Sequence, residues 1–71
     1  MFEKTTSTFF VDGMACAHCK KAVEDAAMKL NGVKEALADL ENKTLTVTFN
    51  PKKVQIEEVM EAVNEAGFEV K

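Results

Sequence analysis

The chain's two cysteines, Cys16 and Cys19, fall together in the segment Gly13-Met14-Ala15-Cys16-Ala17-His18-Cys19. Thiolates are nucleophiles and soft metal ligands, so a pair at this spacing points to metal binding or to dithiol redox chemistry. At the start of a helix, the spacing leaves one cysteine on the preceding loop and puts the other in the first turn. Both sulfurs can then converge on one ion. A helix N-terminus also presents unpaired backbone N–H groups and a partial positive charge, which lower the pKa of a nearby thiol. On this reading Cys19, inside the first turn, gains most. Lys20 and Lys21 add positive charge that solvent screening weakens.

The donor set limits which ion would be accepted. Structural Zn(II) takes four ligands, and Ca(II) and Mg(II) take oxygen, so a bare dithiolate serves none of them well. Cu(I) is soft, is satisfied by two sulfurs, and would leave a single net negative charge at a partly exposed loop. Ag(I) and Hg(II) would be accepted on the same grounds. Two competing explanations are two cysteines packed as small hydrophobes, and a thioredoxin-like redox pair. The first leaves the Gly-Met prefix and the helix-start location unexplained. The second meets a chain too short for that fold and lacking its aromatic-Cys-Gly-Pro-Cys signature. His18 is read as a neighbour of the site, either tuning the thiolates or exposed on the loop, and as a third ligand only where two copies share an ion. Met14 is read as filling the core beneath the loop, with a thioether ligand as the alternative.

These residues need elements to hold them. Thr5 to Val11 is β-branched and aromatic, with Phe9 and Val11 on one face and Thr8 and Phe10 on the other, which suits a strand. From Ala17 to Leu30, Cys19, Val23, Ala26, Ala27 and Leu30 recur at helical spacing, with Lys20, Lys21, Glu24, Asp25 and Lys29 opposite. Asn31-Gly32 ends that helix. A second strand is expected over Val33 to Leu40, with Ala36, Ala38 and Leu40 toward the core, and Glu41-Asn42-Lys43 supplies a turn. Thr44 to Asn50 alternates strictly, Leu45, Val47 and Phe49 against the threonines. A second helix runs from Gln55 to Ala66 on Ile56, Val59, Met60 and Val63, and Phe68 to Val70 forms the last strand. The expected fold is α+β, a ferredoxin-like βαββαβ arrangement with two helices on one face of a four-stranded antiparallel sheet.

With 71 residues the chain is expected to be a single domain, residues 1–71. Apolar residues make up 46% and charged residues 30%, with one proline and three glycines, an ordinary globular composition. The formal charge is -3, the nine basic residues are all lysine, and without arginine or a basic surface nucleic acid is excluded as a partner. The N-terminal residues lack a signal peptide's charged start and apolar run, and no stretch approaches membrane-spanning length, so direct membrane insertion is excluded and a cytoplasmic location is expected. Cysteines there stay reduced and available.

The segment resembles the Gly-Met-x-Cys-x-x-Cys motif of the heavy-metal-associated domain family, and within it the bacterial copper chaperones of the CopZ type, which share a histidine before the second cysteine. The likeness extends through the whole chain in element order. It implies that Cys16 and Cys19 are Cu(I) ligands, that no catalytic residue is needed and that the chain is not an enzyme. It further implies delivery of copper to the metal-binding domains of a copper-transporting P-type ATPase, and in some bacteria to a copper-responsive repressor, with a copper-bridged homodimer as a further arrangement. Zinc-handling relatives tend to carry an aspartate before the first cysteine, where this chain has Ala15. Bacterial copper chaperones often carry tyrosine where it has Phe68, which loses a hydroxyl but keeps an apolar shield over the site. Phenylalanine there also resembles domains of copper ATPases and some mercury-binding relatives. An excised metal-binding domain of a larger transporter or reductase, and a small dithiol redox protein, remain as alternative readings.

Overall fold

The computed structural model describes residues 4–70; residues 1–3, which begin the N-terminal segment read above, and residue 71 lie outside it. The elements run β1 (Thr5–Asp12), α1 (Ala17–Met28), β2 (Val33–Asp39), β3 (Thr44–Phe49), α2 (Ile56–Glu65) and β4 (Glu69–Val70). The strands form one sheet in the order β2-β3-β1-β4, with every neighbouring pair antiparallel. This is the expected βαββαβ fold.

One sheet face and the inner stripes of the helices build the core: Phe9, Val11, Leu45, Val47 and Phe49 from the sheet, Val23 and Ala27 from α1, Val59 and Val63 from α2. Apolar burial of this kind is the main favourable term in folding. The opposite face keeps its threonines, paired across strands as Thr6–Thr48 and Thr8–Thr46 through their hydroxyls. Phe10 and Leu37 stand exposed on it, as the alternation in β1 and β2 requires.

Three boundaries differ from the sequence reading, all by one or two residues. Helix α1 stops at Met28, where Lys29 caps it, and Leu30 packs on the core from the turn that follows. Strand β2 stops at Asp39, whose carboxylate turns back to accept the backbone N–H groups of Glu41 and Asn42. Phe68 lies before β4, not in it. β2 also carries an irregularity between Val33 and Glu35, so Val33 and Ala38 are both buried although an odd number of residues separates them.

Gly32, which ends the turn after α1, has φ +109, and a Cβ there would lie 2.7 Å from the Cβ of Lys53. Only glycine supplies both the backbone conformation and the space. Helix α2 begins with a reciprocal capping box, in which Gln55 donates its backbone N–H to the Glu58 carboxylate at 2.8 Å. It ends with the N–H of Phe68 bonded to the carbonyl of Val63 and that of Gly67 to Asn64, so the chain reverses sharply and delivers Phe68 toward the β1–α1 loop.

Candidate metal centre

The β1–α1 loop is anchored from below and from the side. Met14 is buried in the core, as its thioether-poor alternative role requires, and holds the loop down. Gly13 has φ +101, and a Cβ added to it would sit 3.4 Å from Cδ1 of Phe68. The half-buried Phe68 ring therefore packs against the loop backbone two residues before Ala15 and joins the loop to the β4 side of the core.

Cys16 is the N-cap of α1, with extended backbone and an exposed side chain. Cys19 lies one turn into the helix, partly buried and packed on the core. Their sulfurs are 3.7 Å apart, both as free thiols. The Cys16 sulfur makes no capping hydrogen bond of strict geometry, yet it lies beside the helix-start donors. The backbone N–H of Cys19 first, then the Cys19 thiol and the backbone N–H of His18, hold the Cys16 thiol below its ordinary value against a small opposing cost of burial. This corrects the expectation that Cys19 gains most. The N-cap side chain is the one placed to receive the unpaired N–H groups of the first turn, as serine or aspartate does at that position.

The geometry sets what the pair can hold. With metal–sulfur bonds of about 2.3 Å, sulfurs 3.7 Å apart subtend about 107° at an ion, and a straight arrangement needs them roughly 4.6 Å apart. Rotation of the exposed Cys16 side chain supplies the difference. In the bent form, the outer side of the ion is open to a third sulfur. Among the described residues no cluster of three or more His, Cys, Asp or Glu side chains converges anywhere, so four-coordinate Zn(II) has no ready-made cage. His18 is exposed on the first turn. Lys20 is drawn along the helix to Glu24, with Nζ 3.4 Å from its carboxylate, and Lys21 is exposed.

Sequence reasoning missed Glu24, which it placed on the wet side of α1. The carboxylate instead accepts the backbone N–H of Ala38 at 2.8 Å in a partly buried setting. The available signal was its position beside Val23, at the margin of the apolar stripe and within reach of an edge strand.

This fold, with a dithiol on the first loop and helix, defines a small metal-carrying domain and not an enzyme. The chain belongs to the heavy-metal-associated domain family, whose model matches residues 8–69. It is 46% identical to the copper chaperone CopZ of Staphylococcus epidermidis over 61 residues, 86% of this chain and 90% of the relative. A solved CopZ metallochaperone superimposes with a TM-score of 0.92 at 34% identity, over 94% of this chain and all of that one. The N-terminal domain of a potential copper-translocating P-type ATPase from Bacillus subtilis, solved in the Cu(I)-loaded state, gives 0.91 at 32% identity, over 97% of this chain and 86% of that one.

Proposed function

We propose that this chain is a cytoplasmic Cu(I) chaperone that holds one ion between the thiolates of Cys16 and Cys19 and passes it to a metal-binding domain of a copper-transporting P-type ATPase. The observation that carries the proposal is the exposed sulfur pair 3.7 Å apart at the start of α1 with no third ligand group beside it. The names of the curated relatives and the Cu(I)-loaded structural neighbour support copper as the cargo. Ala15, which offers no oxygen ligand, supports Cu(I) over Zn(II).

Transfer needs no catalytic residue. A thiolate of the acceptor enters on the open side of the ion and gives a three-coordinate, shared species. Cys16, the exposed partner, is the first donor to leave, followed by Cys19, and each departing sulfur takes its electron pair and later a proton from water. Met14 and Phe68 support and shield the loop, while His18 stands beside the pair without ligating it in the monomer. The same two sulfurs would take Ag(I) or Hg(II), deliver copper to a copper-responsive repressor, or bridge a homodimer through one shared ion.

Anaerobic mixing of the Cu(I)-loaded chain with an apo metal-binding domain of such an ATPase, followed by separation and metal counting, tests the transfer. Copper is expected on both proteins in proportion to their affinities within the mixing time. Copper that stays on the donor, or leaves only when a small thiol is added as a shuttle, contradicts direct exchange.

A further inference from the structure

The two sulfurs belong to separately held parts of the fold. Cys16 rides on the loop pinned by Met14 and by the Gly13–Phe68 contact, on the β4 side. Cys19 rides on α1, whose burial rests on Val23 and Ala27. Apolar contacts of this sort are non-directional and leave a helix free to slide or roll by small amounts. A directional tie is supplied by Glu24, whose Oε2 accepts the Ala38 backbone N–H at 2.8 Å. Ala38 lies on β2, an outer strand of the sheet, and is itself buried. Its N–H must find a partner, and the carboxylate one turn beyond Cys19 provides it. The same oxygen draws Lys20 down the helix, away from the cysteines.

We infer that Glu24 is a positioning residue for the dithiol site. By fixing α1 on the edge strand it fixes Cys19 relative to the anchored loop, and so sets the separation of the two sulfurs on which metal capture depends. This inference rests on the proposed Cu(I) function for its consequence, though the separation itself can be read without copper.

The test compares the unchanged chain with Glu24→Ala and Glu24→Gln, each checked by circular dichroism to be folded at the working temperature. Two probes are used: Cu(I) in competition with a chelator, and phenylarsine oxide, whose arsenic is bridged by both thiols with loss of one water. Glu24→Ala is expected to weaken both probes about tenfold, ~1.4 kcal/mol. Glu24→Gln keeps an amide oxygen for the Ala38 N–H and is expected to stay within about threefold of the unchanged chain. Equal or tighter binding of the arsenical in folded Glu24→Ala overturns the inference, because a purely structural carboxylate, or a freed Lys20 attracting the thiolates, would give that result. Should Glu24→Ala fail to fold, Glu24→Asp, too short to span to Ala38, takes its place with the same expectation. If the unchanged chain binds the arsenical but not Cu(I), the copper reading fails, and the arsenical series alone still decides the role of Glu24.

Discussion

At the residue scale, the two cysteines are alike in type but not in setting. Cys16 is exposed at the N-cap, where donors from the first turn favour its thiolate; Cys19 is partly buried against the core. Alkylation with iodoacetamide is therefore expected to modify Cys16 first, read by peptide mass spectrometry after a short exposure, because the thiolate is the nucleophile. The depressed Cys16 value also carries a sign. A thiol held below its ordinary range stays ionised as pH falls, so Cu(I) affinity should persist until pH passes through that lowered value and then drop as protons compete for sulfur. Chelator competition run from about pH 8 to about pH 5 brackets this range. An affinity that already falls steeply at the upper end contradicts a favoured thiolate. Replacing either cysteine by alanine is expected to weaken Cu(I) by about a thousandfold or more, ~4 kcal/mol. The circular dichroism spectrum should be unchanged, since neither thiol sits among the fully buried residues.

At the element scale, the site depends on turns that aim chain segments rather than on the elements' interiors. Gly32→Ala puts a Cβ 2.7 Å from that of Lys53 at φ +109 and is expected to cost about 2 kcal/mol or more. Glu58→Ala removes half of the α2 capping box and is expected to cost about 1 kcal/mol. For a domain of this size each kcal/mol corresponds to roughly 4–8 °C in melting temperature, so thermal scans separate the two. A Gly32→Ala melt above that of Glu58→Ala would contradict the steric reading. Much of this scale was legible in the residues: the strict alternation of Thr44 to Phe49 and the helical stripe through Val23 and Ala27 name their elements and their buried faces. The reach of Glu24 to Ala38 was not legible, because helical periodicity assigns a residue to a face without saying which strand lies beside that face's margin. The irregularity after Val33 was hidden for a related reason. A two-residue period read along β2 has no way to register one extra residue.

At the scale of the whole molecule, a single layer of core supports everything. At roughly 0.05–0.15 kcal/mol per residue the chain has only a handful of kcal/mol to lose. Leu45 is fully buried on the central strand β3, and Leu45→Ala is expected to cost about 2–5 kcal/mol. That change should leave a measurable unfolded fraction at room temperature by urea titration, and Cu(I), binding the folded form, should raise the midpoint again. A midpoint insensitive to the ion would contradict a preformed site. The whole molecule also explains why the cysteine pair was readable from the start while its detail was not. Residue type and spacing name the chemistry, but the preference for Cys16 over Cys19 and the bent separation of the sulfurs depend on where α1 begins relative to the loop.

The central claim is that two sulfurs and no third ligand make this a Cu(I) site. It is tested most directly by anaerobic titration of the chain against a Cu(I)-selective chelator, with Zn(II) titrated in parallel against its own indicator. One Cu(I) per chain, taken from the chelator and held far more tightly than Zn(II), is the predicted result. Cu(I) left on the chelator, or Zn(II) bound with equal strength, would contradict it.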